Sequence, residues 1–142
     1  WRTVIDINLN GVFYGLRAQI PAMLRAGGGA VVNMASILGS VGFANAVAYT
    51  SAKHALLGLT KVAAMEYAAK GIRVNAVGPG FIDTPLLSHM DDKQRRQIVA
   101  MHPLGRLGTA NEVAQTVIWL CSDAASFMTG ESILVDGGYT AK

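Results

Sequence analysis

A tyrosine and a lysine four residues apart are the pair in this sequence best suited to proton-transfer chemistry. Tyr49 and Lys53 begin an apolar segment with helical periodicity, so both side chains share one helix face. A phenol in water titrates near pH 10 and is a poor base at neutral pH. An ammonium within about 4–6 Å favours the phenolate, so the pair could take a proton from an alcohol or return one to an alkoxide. For the spacing alone, a surface tyrosine beside a solvated lysine is the alternative interpretation.

Two further polar residues stand where such a reaction needs hydrogen-bonding groups. Ser36 follows the apolar run 30–34, at the carboxyl end of a predicted strand, where ligands of open α/β sheets bind. Its hydroxyl could donate to a substrate oxygen that gains charge, or it could cap a loop. Asn8 lies inside a predicted helix, where asparagine is a mediocre helix former. It could hold a water molecule or make a structural hydrogen bond.

The elements that must position these residues alternate between helix and strand. Apolar residues at helical spacing predict helices over 1–25 and 48–70, ended by the glycines 27–29 and by Gly71. Short continuous apolar runs predict strands buried on both faces; they cover 30–34, 72–77 (closed by 78–80) and 132–135. Thr109 and Glu112 form a capping box that starts a helix reaching about Ser122. The segment 81–107 is irregular, with short helical pieces after Thr84 and Asp91.

Alternating helices and strands require parallel pairing through right-handed crossovers. We therefore predict an α/β fold with a Rossmann-like doubly wound parallel sheet, in which residues 1–142 form the catalytic part of one domain. No G-x-G-x-x-G or P-loop occurs. The glycines 27–29 precede a strand instead of linking a strand to a helix, so a helix C-cap and turn explains them better than a phosphate-binding loop. The chain opens at Trp1 on helical residues. We expect the N-terminal dinucleotide-phosphate-binding half to be absent from this chain.

Composition excludes several other classes of function. Twelve basic and nine acidic residues give a net charge of +3, and the basic residues are scattered, so we expect no nucleic-acid partner. Apolar runs end well short of a membrane span, so we expect no membrane partner. Cys121 is the only cysteine and lies in an apolar helical run, which predicts a core residue and a reducing, cytoplasmic location. His54 and His102 show no metal-ligand spacing, and we expect no metal.

Ser36 and the run Tyr49-Thr50-Ser51-Ala52-Lys53 resemble the short-chain dehydrogenase/reductase family, including the thirteen-residue step from serine to tyrosine. Further segments are similar to the family's signatures in the same order. They are DINLNG (6–11), RVNAV (73–77) with Pro79-Gly80, GRLG (105–108), EVA (112–114) and VDGG (135–138). The match covers essentially the whole chain.

The resemblance implies hydride transfer between a nicotinamide cofactor, NAD or NADP, and an alcohol or ketone. It implies that Tyr49 is the general acid/base and that Lys53 favours its phenolate and holds the nicotinamide ribose hydroxyls. It implies that Ser36 orients and polarises the substrate oxygen, and that Asn8 holds a water passing protons towards Lys53. The cofactor contacts that it implies are Tyr49, Lys53, Pro79, Gly80, Ile82 and Thr84. Thr84 also suits the N-cap before Pro85.

The segment 81–107 would form a lid over the substrate. Leu38, Leu86, Leu87 and Met90 predict a partly hydrophobic substrate pocket, with packing under the lid as the alternative for each. In the family, the helices equivalent to 1–25 and 48–70 contact a second subunit, which implies a homotetramer.

Two other interpretations stay open at this stage. A module of this fold could sense a nicotinamide nucleotide without turnover, although a sensor does not need an acid/base pair. The chain could also be an inert fragment held together by oligomerisation. Sugar-nucleotide epimerases share the four-residue spacing, but the short tail after 135–138 leaves no room for their additional substrate domain. The enoyl reductase relatives space the pair more widely.

Overall fold

The computed structural model describes residues 1–141 and is built around a three-stranded parallel sheet. The strands are β1 (Gly29–Met34), β2 (Ile72–Pro79) and β5 (Ser132–Val135), in the order β1-β2-β5. The helices are α1 (Arg2–Ile5), α2 (Gly11–Arg25), α3 (Val47–Tyr67), α4 (Asp92–Ala100) and α5 (Ala110–Cys121). Two short strands, β3 (Ile82–Asp83) and β4 (Gly108–Thr109), form a second parallel pair. The predicted α/β architecture is confirmed.

Helices cover both faces of the sheet. On one face α2 and α3 pack against β2, where Leu16, Ala63 and Ile72 are buried together. On the other face α5 packs against β2 and β5, where Val77, Val113 and Leu120 are buried together. Removing these apolar side chains from water is the main stabilising contribution. It also fixes the carboxyl ends of β1 and β2 side by side.

Two glycine turns that precede neighbouring strands pack directly on each other. Gly28 and Gly71 have φ angles of 137° and 76°, a region that side chains with a Cβ rarely adopt. A Cβ added to Gly28 would lie 2.5 Å from the carbonyl oxygen of Gly71. The Gly29 amide donates to that same oxygen at 3.0 Å. The glycines predicted as helix stops therefore also set the spacing at which β1 meets β2.

Polar side chains on β2 hold the segment that leads into β5. Asn75 is 1% exposed; its amide nitrogen donates to the Met128 carbonyl at 2.8 Å, and its oxygen accepts from the Glu131 amide at 3.0 Å. The Arg73 guanidinium donates to the carbonyls of Leu120 and Ser122 at the end of α5. Buried backbone groups left unpaired are costly, so these bonds fix where β5 starts.

The capping box at the start of α5 is confirmed. The Thr109 hydroxyl accepts from the Glu112 amide at 3.3 Å, and the Glu112 carboxylate accepts from the Thr109 amide at 2.8 Å. Hydrogen bonds from Arg106 and then Thr109 lower the pKa of Glu112 to about 2. The carboxylate is therefore charged throughout the neutral range and suits the first turn of the helix.

Three sequence expectations differ from the structure. Strand β2 continues through Gly78 and Pro79, because both pair with β5. Strand β1 is only half-buried at Val31 and Val32, since it is an edge strand in the part of the chain that is described. Cys121 was expected in the core, but it is exposed at the last residue of α5, because it lies outside the helix face that packs against the sheet.

No helix within residues 1–141 is long and apolar enough to cross a membrane.

Candidate active site

A cavity of about 320 Å³ opens at the carboxyl ends of β1 and β2. Its walls come from the turn after β1, the first turn of α3 and the segment after β2. The lining residues are Ser36, Ile37, Leu38, Tyr49, Gly80, Phe81, Ile82, Thr84, Leu86 and Leu87. The fold thus brings Ser36 and Tyr49 into one cavity, together with residues more than thirty positions further along the chain.

Lys53 lies behind Tyr49 on the same face of α3. The lysine is 7% exposed, and its Nζ donates to the Met34 carbonyl at 2.8 Å and lies 5.4 Å from the centroid of the Tyr49 ring. Burial lowers the pKa of Lys53, because the charged ammonium loses water. An ammonium has three N–H donors, and the Met34 carbonyl takes one. The others suit hydroxyl groups of a ligand.

Ser36 is both a cap and a lining residue. Its Oγ accepts from the Leu38 amide at 3.1 Å and so caps the short 3₁₀ turn Ile37–Gly39. A hydroxyl that accepts one bond still has its own hydrogen to donate. The backbone cap therefore holds the oxygen in place while the hydroxyl hydrogen is available to a molecule in the cavity.

Asn8 lies in a π-helical turn, Asp6–Asn10, that interrupts the first helix between α1 and α2. Its side-chain nitrogen donates to the Val4 carbonyl at 3.1 Å. The turn packs against α3, the helix that carries Tyr49 and Lys53. Such π turns often occur at functional sites. Helical periodicity alone did not predict the interruption, although two asparagines followed by Gly11 are a local signal for it.

Several residues expected to contact the cofactor lie between the cavity and a second depression in the surface. Pro79, Ile82 and Thr84 border a second, open apolar depression of about 500 Å³, together with Met34 and the α5 residues Ala110, Val113, Ala114, Val117 and Ile118. Ile82 and Thr84 line both the cavity and this depression, whereas Gly80 lines only the cavity. Thr84 is the N-cap residue of the 3₁₀ turn that begins at Pro85, as its position predicts, although its side chain makes no cap hydrogen bond.

Three of the four predicted pocket residues line the cavity. Leu38 and Leu87 are buried in its wall, while Leu86 lines it and is 77% exposed. Met90 lies outside it and packs against the buried cluster of Leu87, Ile98 and Leu107 beneath α4. Phe81 also lines the cavity. The sequence did not predict this role, although Phe81 directly follows the Pro79-Gly80 turn.

The cavity walls carry no charged side chain among the residues described. The polar side chains in the lining belong to Ser36, Tyr49 and Thr84. No group of three or more His, Cys, Asp or Glu within residues 1–141 is arranged to hold a metal ion. A buried ammonium beside a phenol, a positioned hydroxyl and apolar walls can move a proton to or from a neutral substrate oxygen.

Comparisons with known proteins agree with this arrangement. A family model described as enoyl-(acyl carrier protein) reductase matches residues 1–140. The chain is 55% identical over its whole length to a cyclohexanol dehydrogenase of Acinetobacter sp. (strain SE19), of which it covers 55%. It is 50% identical to a cis-4-hydroxycyclohexanecarboxylate dehydrogenase of Sinomonas cyclohexanicum, covering 99% of this chain and 57% of the relative.

A solved structure is similar along the entire chain. It is described as a 2-deoxy-D-gluconate 3-dehydrogenase of Agrobacterium tumefaciens with bound NADP, at 39% identity and a TM-score of 0.95, and 59% of it is covered. The chain thus spans a little over half the length of these relatives. The family match along residues 1–140, the shared fold and the ordered motifs lead to one conclusion: the chain belongs to the short-chain dehydrogenase/reductase family.

Proposed function

We propose that this chain carries the acid/base site of an NAD(P)-dependent oxidoreductase that interconverts a secondary alcohol and its ketone. The observation that carries the proposal is the buried Lys53 ammonium, held by the Met34 carbonyl at 2.8 Å and 5.4 Å from the Tyr49 ring. Tyr49 shares its cavity with Ser36. A protein that only sensed a nucleotide would not need a buried cation beside a cavity-lining phenol.

Each of the four polar residues has its own role in the proposed reaction. A bound nicotinamide would accept hydride from the carbinol carbon in oxidation and supply it in reduction. During oxidation, Tyr49 as phenolate takes the substrate's hydroxyl proton, and Ser36 donates a hydrogen bond to the substrate oxygen. Lys53 favours the phenolate and holds ribose hydroxyls, while Asn8 holds a water that passes protons towards Lys53. During reduction, Tyr49 returns the proton to the alkoxide oxygen.

The chain's own residues fit the nicotinamide end of such a cofactor. Pro79 and Ile82 present apolar surface to the second depression, beside the hydroxyl-bearing Thr84. Met34 borders the same depression, and its carbonyl holds Lys53. Contacts suited to the ring and to the ribose therefore lie together, and the shared Ile82 and Thr84 border the substrate cavity. Both NAD and NADP are compatible with these contacts.

The test is a turnover assay of the full-length protein with cyclohexanol and either NAD⁺ or NADP⁺, followed by the absorbance of the reduced nicotinamide. We expect reduced cofactor to form together with cyclohexanone. A folded protein that binds the cofactor but oxidises no secondary alcohol and reduces no ketone would instead be a nucleotide-binding module.

The inferred substrate is a small, uncharged cyclic secondary alcohol. The cavity of about 320 Å³ lies near the lower end of the roughly 300–1,000 Å³ typical of ligand sites. Its described walls offer apolar side chains and hydroxyls but no cation that would pair with a carboxylate. A relative at 55% identity is named for cyclohexanol, which has this chemistry.

Replacing Leu86 with arginine should change this preference. Leu86 lines the cavity but is 77% exposed, so the substitution adds a cation at the mouth without removing core packing. We expect kcat/KM to fall about tenfold for cyclohexanol and to rise about tenfold for cis-4-hydroxycyclohexanecarboxylate. Steady-state kinetics with both substrates would measure the change. Leu86→Gln is the matched control, and a similar gain in that variant would show that charge is not the cause.

The assembly inferred for the protein is a homotetramer with contacts through the helices of 1–25 and 48–70. An apolar groove of about 450 Å³ runs between α2 and α3, and its lining includes Phe13, Leu24, Leu59 and Val62. Exposed apolar surface of this kind is typical of subunit contacts. Arg17 and Glu66 also line this groove and would give a subunit contact two charged groups.

Replacing Val62 with glutamate should dissociate the assembly. Val62 is 53% exposed and lines the groove, so in a subunit contact the new carboxylate would be taken out of water among mainly apolar side chains. We expect sedimentation velocity to report tetramer for the unchanged protein and mainly smaller species for Val62→Glu. Gln97→Glu, on α4 and away from the groove, should keep the tetramer. Persistence of the tetramer in Val62→Glu would exclude this groove as a contact.

A further inference from the structure

His102 is buried next to the cavity wall but does not line the cavity. It follows α4 by two residues and is 3% exposed. Aromatic rings surround it: the centroid of its imidazole lies 5.8 Å from that of Phe81 and 5.4 Å from that of Tyr139. Its sequence spacing suggested no role. The tertiary structure places it between α4 and the segment that follows β2.

Both ring nitrogens of His102 have backbone partners. Nδ1 lies 2.7 Å from the Ile98 carbonyl oxygen, which can only accept, so Nδ1 carries the hydrogen. The Phe81 amide donates to Nε2 at 3.3 Å, so Nε2 offers its lone pair. One form of imidazole satisfies both bonds, namely the neutral ring with its hydrogen on Nδ1.

The bond to Phe81 is part of a set that holds the cavity wall from behind. The Phe81 carbonyl accepts from the Gly108 amide at 3.0 Å, and the Gly80 amide donates to the Val135 carbonyl at 3.0 Å. A Cβ on Gly80 would lie 3.1 Å from Nε2 of His102 and 3.0 Å from Cα of Asp136. A side chain at this position would therefore crowd the imidazole. Gly80 and Phe81 are themselves wall residues of the cavity.

We propose that neutral His102 is a positioning residue that holds the Gly80–Phe81 wall of the cavity, and that protonation of His102 releases this wall. A hydrogen on Nε2 would face the Phe81 amide, so two donors would oppose each other and the bond would be lost. The kinetic consequence rests on the proposed function, whereas the tautomer and the bond to Phe81 do not.

Charged groups on the neighbouring elements give the protonated ring an alternative partner. His102 borders a small cavity of about 100 Å³ whose lining also includes Asp136, Arg106 and Glu112. Burial opposes the ionisation of Asp136, but hydrogen bonds from Thr140 and Gly138 outweigh it and hold the pKa of Asp136 below its usual value. Arg106 and Glu112 pair with each other at 2.6 Å. The carboxylate of Asp136 is thus available to attract an imidazolium, which favours the released state at low pH.

Only the neutral ring can accept the bond from the Phe81 amide, because an imidazolium carries a hydrogen on both nitrogens. Substrate binding should therefore weaken when the ring is protonated, since the wall that shapes the cavity loses a hydrogen bond.

Two variants separate the hydrogen bond from the bulk of the ring. His102→Leu keeps an apolar side chain but offers no acceptor to the Phe81 amide. His102→Gln offers an amide oxygen close to the position of Nε2 and does not titrate. In the full-length protein with cyclohexanol, we expect the KM of His102→Leu to rise about five- to tenfold with kcat changed less than about threefold. His102→Gln should stay within about threefold of the unchanged protein and lack its rise in KM at acidic pH.

The tautomer of His102 and its bond to the Phe81 amide can be tested without any enzymatic turnover. Nitrogen-15 NMR of the imidazole should show the neutral tautomer with hydrogen on Nδ1. The Phe81 amide should be protected from hydrogen exchange, relative to its intrinsic exchange rate, while the ring is neutral, and it should lose this protection once the ring is protonated. A hydrogen on Nε2 at neutral pH, or an unprotected Phe81 amide, would overturn the proposal. So would an unchanged KM in a folded His102→Leu. If no alcohol is turned over, the proposed function fails while NMR still decides the role of His102. If His102→Leu does not fold, the tautomer and the pH profile of His102→Gln decide it.

Discussion

Replacing Tyr49 with phenylalanine should lower kcat by about 10²–10⁴-fold, the usual contribution of a positioned general acid/base. Tyr49 lines the cavity, and Lys53 Nζ lies 5.4 Å from its ring centroid. Phenylalanine keeps the ring packing and removes only the group that carries the proton. Lys53 stays in place in this variant, so loss of the Tyr49 hydroxyl contact should lower cofactor affinity only slightly, and the thermal unfolding midpoint should change little.

The chain offers a matched control for this substitution. Tyr67 and Lys70 form a second tyrosine–lysine contact near the end of α3, with Lys70 Nζ 4.9 Å from the Tyr67 ring centroid. Lys70 is exposed, and Tyr67 lines the groove between α2 and α3 instead of the cavity. Tyr67→Phe should keep near-normal kcat. Steady-state kinetics and cofactor titration of both variants would measure the contrast, and a Tyr49→Phe enzyme with near-normal kcat would exclude the mechanism.

Replacing Lys53 with methionine should lower kcat/KM by about 10²–10⁴-fold and weaken cofactor binding as well. The substitution removes the buried ammonium that we propose assists proton transfer at Tyr49, together with the N–H donors that we propose bind ribose hydroxyls. Methionine keeps much of the apolar packing, although the Met34 carbonyl loses its 2.8 Å partner. The loss of cofactor affinity distinguishes this variant from Tyr49→Phe.

Lys61→Met is the control for charge, since Lys61 is exposed on the same helix. It should leave turnover and cofactor affinity near those of the unchanged protein. Kinetics together with fluorescence titration of the reduced cofactor would test both variants. Normal cofactor affinity in Lys53→Met would contradict the ribose contact, and normal turnover would contradict the activation of Tyr49.

The same lysine should produce opposite pH trends in binding and stability. Burial lowers the pKa of Lys53 below the ordinary lysine value of about 10.4. As the pH rises through this lowered pKa, the folded protein loses the ammonium and cofactor affinity falls. Between the folded and unfolded pKa values the unfolded chain binds more protons, so this lysine's contribution to stability rises with pH. Lys53→Met should lack both components in denaturant titrations and cofactor titrations at alkaline pH.

Local patterns in the sequence determined which elements form and which side chains share a face. Helical periodicity placed Tyr49 and Lys53 together, and the capping box of Thr109 and Glu112 marked the start of α5. Such features depend on a few neighbouring residues, so the printed sequence contains all that is needed to predict them. The order of the motifs along the chain indicated the short-chain dehydrogenase/reductase family, and the family match over residues 1–140 confirms it.

The tertiary structure decided how distant residues meet. It determined that the Met34 carbonyl would hold Lys53, and that β2 would extend through Pro79 by pairing with β5. It left Cys121 exposed and joined His102 to the Phe81 amide, 21 residues away. These outcomes depend on strand register and on which helix face packs against the sheet. They are set by burial and hydrogen bonding over the whole fold, which no local pattern of apolar residues encodes.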